Sequence, residues 1–190
     1  MDSKKIMNAV PKEAILSGLV ESGTLNVLIA PAPGEPAFFR TCVRALALYM
    51  NNVNRNLRGA LLEDGTPEEK DRRKTDIFLK GYGLREFITR VSTSEEGTVL
   101  SWLLGADVIL LSEKAQEKEE YLGLAETFSL PVICIGGAET FCVTDGVLHA
   151  GDTAADAAAA LSVVKSRHYT ALLKQKEGSA VKKEASKCVS

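Results

Sequence analysis

The chain has 190 residues, 45% hydrophobic and 25% charged, with 23 basic against 25 acidic side chains and a net charge of -2. Near-balanced charge excludes a broad basic surface for nucleic acid, which needs clustered Lys and Arg, and the apolar content excludes a disordered chain. At one domain per ~150 residues the expectation is a single domain with ragged ends, large enough to bury roughly 70% of its unfolded surface without disulfides or a metal.

Val10, Ile15, Leu16, Leu19 and Val20 recur at helical spacing and predict a helical leader over 1–24, with Pro11 suited to a first turn. LNVLIA (25–30) is a short run, apolar but for Asn26, stopped by PAPGEP (31–36), the mark of a strand buried on both faces. Periodicity through Val43, Leu46, Leu48 and Met50 predicts a helix from Phe38 to about Leu62. EDGTPEEKDRRK (63–74) reads as a charged, solvated connection. YGLREFITRV (82–91) sets Leu84, Phe87, Ile88 and Val91 on one helical face, and a second helix around 100–104 is entered from Ser94 and Glu95.

ADVILLS (106–112) is the clearest buried strand, followed by a helix over 117–128, a strand at PVICIGG (131–137) and a shorter one at GVLH (146–149). Thr153 then caps an alanine-rich helix through Leu161, Val164, Tyr169 and Leu172, with Asp156 in its first turn as a partner for the positive helix end. Beyond it, 176–190 reads as a flexible charged tail. Strands alternating with helices predict one α/β domain over 25–175, a three-layer Rossmann-like sandwich with a central parallel sheet flanked by helices.

The four cysteines, Cys42, Cys134, Cys142 and Cys188, form no C-x-x-C pair, and only His149 and His168 could join them, so no metal site is expected. Cys42 and Cys134 sit in apolar runs and read as small buried hydrophobes. The first residues lack a signal-peptide core, no apolar run approaches the ~18 residues of a membrane span, and the terminal KCVS is not a prenylation box. A cytoplasmic protein without membrane contact is the expectation.

Ligands of open parallel sheets bind at the carboxyl ends of strands, where loops and helix N-termini present N–H groups. Three such ends can be named. In PAPGEP, Gly34 permits close backbone approach, while Glu35 reads either as an acid or base at a pocket lip or as an exposed residue on a rigid turn. In SEKAQEK (112–118), Ser112 and Lys114 can hold a phosphate or sugar hydroxyl, whereas Glu113 and Glu117 oppose an anion. In GGAET (136–140), Gly136 and Gly137 allow a tight turn or a closely packed ligand.

No phosphate loop, H-E-x-x-H or G-x-S-x-G is present, and Gly81-Tyr-Gly83 lacks the third glycine of a dinucleotide fingerprint, so no cofactor is expected. His149 closes a strand, either as a half-buried polar tip or as a catalytic acid; His168 reads as a surface residue and Trp102 as core.

Taken in order, NVLIAPAPGEPAFF, GYGLREFITRV, ADVILLSEKAQEK, LAETFSLPVICIGG and TDGVLHAGDTAADA stand where five conserved stretches occur in a known fold. The order, over 25–172, resembles the sugar isomerase (SIS) fold, closest to its phosphoheptose isomerase branch. The resemblance implies a sugar-phosphate ligand near Gly34, Glu35, Ser112, Lys114, Gly136, Gly137, Asp152 and Thr153, and a homo-oligomer, dimer or tetramer, paired through long helices. The alanine-rich helix and the adjacent Phe38 and Phe39, one of which must face away from its own core, fit such pairing.

Three departures bear on activity. Glu35 stands where that family has serine, the phosphate loop keeps only Ser112 and is about three residues short, and AADAAAA (154–160) replaces its acid/base Gln and His. The expectation is therefore a divergent SIS-type domain that binds a phosphosugar or other small ligand without isomerase turnover. One alternative is an active phosphosugar isomerase with relocated groups, Glu35 as base and His149 as acid. Another is a nucleoside deoxyribosyltransferase-like enzyme with Glu119 or Glu120, in EEYLGLAETFSLPVI, as nucleophile.

Overall fold

A run of five residues with four apolar side chains cannot leave either face in water, and two such runs, LNVLI and VILLS, form the middle of a sheet. The computed structural model describes residues 24–32, 35–53, 55–65, 68–136, 142–144 and 147–164. In it β1 (Leu25–Ile29) and β4 (Val108–Ser112) lie side by side and are buried at every position. β2 (Leu57–Glu63) and then β3 (Ile88–Ser92) extend the sheet beyond β1. β5 (Val132–Ile135) and then β7 (Val147–Ala150) extend it beyond β4. All these pairs are parallel; β6 (Cys142–Thr144) closes the far edge as an antiparallel partner of β7, giving the order β3-β2-β1-β4-β5-β7-β6.

Alternation along the strands sends successive side chains to opposite faces, and each face has its own helices. Leu25, Val27 and Ile29 point toward α1 (Pro36–Asn52), α2 (Glu69–Gly81) and α5 (Ala154–Val164). Leu28 and Ala30 point toward α3 (Glu96–Gly105) and α4 (Lys118–Thr127). Each fully buried Leu, Ile or Val contributes roughly 1.5–3 kcal/mol, so the two apolar layers dominate stability. Strand order grows one way from β1 to β3 and the other way from β4 to β7, and the helices change face at that reversal. The loops leaving β1 and β4 therefore diverge, which opens a crevice at their carboxyl ends.

The single α/β domain with a parallel sheet between helical layers is as the alternation predicts, but five elements differ from expectation. α1 stops at Asn52, and β2 fills the second half of the segment read as one helix. The first half of α2 lies in the segment read as a solvated connection; it carries Glu69–Arg73 and Asp71–Lys74 pairs at 3.1 and 2.8 Å, and the helix buries only Leu79. YGLREFITRV is not a helix: Gly83, at φ 71°, leads a turn into β3, which places Leu84 and Ile88 on one side of the sheet and Val91 on the other. β6 was not anticipated at all.

The expected leader up to residue 23 and the tail over 176–190 lie outside the described residues. The two features that suggested pairing between chains are both used within this one. Ala157 and Ala160 of α5 are fully buried in the core they share with α1. Phe38 is in that core, while Phe39 meets Phe78 at 5.8 Å between ring centroids, and Phe78 meets Tyr82 at 5.1 Å. Among the described residues no helix is long and apolar enough to cross a membrane.

Candidate functional site

Glu35 immediately precedes α1, and Ser112 is the last residue of β4, so both stand at the strand-order reversal. Ser112 Oγ donates a hydrogen bond to Glu35 Oε2 at 2.6 Å and accepts one from the Lys114 N–H at 3.2 Å. Ser112 is buried. One hydroxyl thus fastens the entry to α1 to the loop after β4, across the mouth of the crevice.

Beside this link lies a pocket of about 200 Å3, with Glu35, Thr41, Ser112, Lys114, Gly136 and Asp152 among its lining residues. Gly136 has φ 102°, a conformation that favours glycine, and a Cβ there would lie 2.9 Å from Asp152 Oδ1. The missing side chain is what lets Asp152 close over the end of β5. Thr41 Oγ1 donates to the Asp152 carbonyl at 3.2 Å and ties this wall to α1.

The polar groups divide by charge. Glu35 and Asp152 bring carboxylates, acceptors suited to hydroxyl donors, and Lys114 brings a cation. The N-terminus of α1 also opens on the pocket, through Ala37 and Phe38, and beyond Glu35 at its cap it has no acidic residue in its first turn. Its unpaired N–H groups and the helix dipole favour an anion there. The volume is below the ~300–1,000 Å3 of sites that enclose a drug-sized molecule. A single ring or phosphate fits inside, and the rest of a larger ligand must lie along the open crevice.

Of the residues nominated from sequence, Glu35, Ser112, Lys114, Gly136 and Asp152 are brought to this one pocket from four separate segments. Gly34 and Gly137 lie outside the described residues. Thr153 is instead the cap of α5: it accepts the Asp156 N–H at 3.1 Å and bonds the Asp156 carboxylate at 2.5 Å.

His149 is not brought to Glu35. It is the register partner of Cys134, and Cys134 faces the α3/α4 side, whereas Glu35 and Ile135 line the pocket on the α1/α5 side. The sheet separates the two groups expected to act as base and acid.

His149 meets Glu113 instead, with Nδ1 at 3.4 Å from Oε2, while Lys118 Nζ lies 2.5 Å from Oε1. Burial opposes ionisation of Glu113, but the Lys118 hydrogen bond and the charges of Lys118 and His149 outweigh it and hold the carboxyl below its ordinary range. The Cys134 thiol, fully buried beside them, is pushed up to about 12 by burial and by the Glu113 charge.

Sequence reasoning missed the paired Arg90 and Glu63. Arg90 Nε and Nη2 donate to the two Glu63 carboxylate oxygens at 2.9 and 3.0 Å, and they border a hollow of about 260 Å3 at the β2–β3 edge. The signal was strand register, which is lost once 82–91 is read as helix.

No known family profile matches the chain, and no curated protein sequence does. Solved structures do. The C-terminal domain of a group 1 glycosyl transferase family protein (LpcC) from Francisella tularensis matches with a TM-score of 0.58 at 14% identity, over 74% of each chain. WaaG, a glycosyltransferase involved in lipopolysaccharide biosynthesis, matches at 0.62 with 12% identity, over 82% of this chain and 42% of its own. Sucrose-phosphate synthase from Thermosynechococcus elongatus matches at 0.55 with 17% identity, over 76% and 37%. The chain spans less than half the length of the last two.

These neighbours overturn the sugar isomerase resemblance and the two functions drawn from it, the divergent phosphosugar-binding SIS domain and the active isomerase, and also the separate deoxyribosyltransferase alternative. The resemblance had rested on the order of strand-end loops, an order that any doubly wound α/β chain can supply, and one of its five segments, GYGLREFITRV, is a turn and strand rather than the aromatic helix it was matched to. At these identities the likeness shows the fold alone, a doubly wound parallel sheet of the kind found in glycosyltransferases.

Proposed function

We propose that this chain is a glycosyltransferase-type binding domain that holds an activated sugar, one bearing a phosphate or nucleoside diphosphate, over the carboxyl ends of β1, β4 and β5. One observation carries the reading: Glu35, Ser112, Lys114, Gly136 and Asp152 converge on one pocket at the strand-order reversal. In open α/β sheets that crevice is where ligands bind. The sugar ring sits against the Glu35 and Asp152 carboxylates, which accept its hydroxyl hydrogens. The phosphate lies toward Lys114 and the α1 N-terminus, the two positive features of the pocket. The fold likeness to glycosyltransferases supports this ligand class over others that a doubly wound sheet can take. A second lobe, on the same chain or a partner, would close the open crevice and present an acceptor.

Isothermal titration with UDP-glucose, ADP-glucose, GDP-mannose and glucose 1-phosphate tests it. At least one binds, and Glu35→Gln or Ser112→Ala weakens that affinity by about tenfold or more, the cost of one hydrogen bond to a charged group. Absence of binding across the panel, or affinities unchanged in both variants, would contradict the reading.

A further inference from the structure

We propose that Glu113, Cys134 and His149 form a site for one divalent cation of the zinc class, on the face of the sheet opposite the sugar pocket. The three residues come from three neighbouring strands, and backbone pairing sets their relation. Cys134 and His149 are register partners in β5 and β7, and Ser112 pairs with Ile135, so Glu113 stands one step beyond the end of the β4–β5 ladder. A carboxylate oxygen, the Cys134 Sγ and a ring nitrogen all lie within 4.8 Å of one another. Ligands of a tetrahedral zinc ion stand roughly 3.5 Å apart, given metal–ligand distances near 2.0–2.3 Å. Small side-chain rotations suffice to close on an ion.

The donor chemistry selects the ion. One thiolate, one imidazole and one carboxylate suit zinc and its borderline neighbours; calcium and magnesium require oxygen ligands that this cluster lacks. Glu113 Oε2 is buried and faces His149, with Nδ1 at 3.4 Å, and the Cys134 thiol, without a hydrogen bond of good geometry from a nitrogen or hydroxyl donor. A cation among the three replaces these weak contacts with ligand bonds.

Lys118 holds the other oxygen, Oε1, which orients Oε2 into the cluster as a single-oxygen ligand. Its charge opposes the ion. Against it stand two negative ligands, Glu113 and the thiolate formed when the incoming ion displaces the Cys134 proton, which leaves to solvent. The Glu113 and His149 side chains are 25% and 22% exposed, which leaves a path for the ion and a fourth position for water. Bound there, the ion clasps the carboxyl ends of β4, β5 and β7 and braces the Ser112–Lys114 loop from the side away from the pocket.

The full chain, stripped with a chelator and dialysed, is titrated with Co2+. Thiolate ligation gives a near-ultraviolet charge-transfer band, and Zn2+ then displaces cobalt in competition. The expected result is one equivalent bound with the band, loss of the band in Cys134→Ala, and at least tenfold weaker binding in His149→Gln. If Cys134→Ala does not fold, the partly exposed His149→Gln and Glu113→Gln carry the test, each checked for native circular dichroism. Absence of the band overturns the proposal. So does a band that persists with unchanged affinity in the variants, which would locate the ion on cysteines elsewhere. Neither readout involves sugar binding, so failure here leaves the pocket reading standing.

Discussion

Gly136 occupies a backbone conformation that favours glycine, φ 102°, and leaves room for Asp152 only because it has no Cβ. Gly136→Ala therefore brings two costs, a positive φ on an L residue and a contact at 2.9 Å from Asp152 Oδ1. Strained backbone of this kind costs about 1–3 kcal/mol. Equilibrium urea unfolding is expected to show a loss within that range, with ligand affinity reduced in the fraction that remains folded. A loss below ~0.5 kcal/mol would mean that the loop relaxes freely and that the pocket wall is not fixed by this residue.

Gly136 was legible from sequence, as were Glu35, Ser112 and Lys114, because the rule that ligands sit at the carboxyl ends of strands needs only the strand positions. Asp152 was named only through the sugar isomerase resemblance, not through that rule. Glu113, Cys134 and His149 were not legible as a group. Bringing them together requires the order of β4, β5 and β7 and the register between them, which no local spacing encodes.

At the scale of elements, β3 is an edge strand, and Arg90 binds it to β2 through the fork–fork pair with Glu63. Both side chains are 18% exposed, so the pair is neither a surface ion pair of little worth nor fully dry. Arg90→Ala is expected to destabilise by about 2 kcal/mol, below the 3–5 kcal/mol of a fully buried pair. Amide exchange should rise first in Ile88–Ser92. Unchanged exchange in β3 would show that apolar contacts alone hold the edge.

The elements that sequence reasoning missed share a cause. α2 has no apolar stripe, since only Leu79 is buried, and its signal lay in oppositely charged residues three and four apart. β2 reads GALL, a continuous apolar run that a helix accommodates as well as a buried strand does. In β3 the β-branched Ile88, Thr89 and Val91 argued for a strand, but Leu84, Phe87, Ile88 and Val91 also match a helical period. Two periods fitted the same residues, and tertiary pairing decided between them.

For the whole molecule, alternation of strands and helices was enough to reach a parallel sheet between two helical layers. It was not enough to choose among doubly wound relatives, because strand order is absent from the alternation. The charge balance also takes on a more definite meaning in three dimensions. Glu35 and Asp152 line the pocket with Lys114, while Glu113 has turned to the opposite face, so the loop after β4 does not set all its acids against a phosphate.

The central claim is that an activated sugar binds at this carboxyl-end crevice. It is tested most directly by nuclear magnetic resonance of the 15N-labelled full chain titrated with UDP-glucose, ADP-glucose and GDP-mannose in turn. The account predicts that amide shifts on binding concentrate at Lys114, Gly136, Asp152 and the first turn of α1. Shifts confined to the β2–β3 edge around Glu63 and Arg90, or no shifts with any of the three, would contradict it.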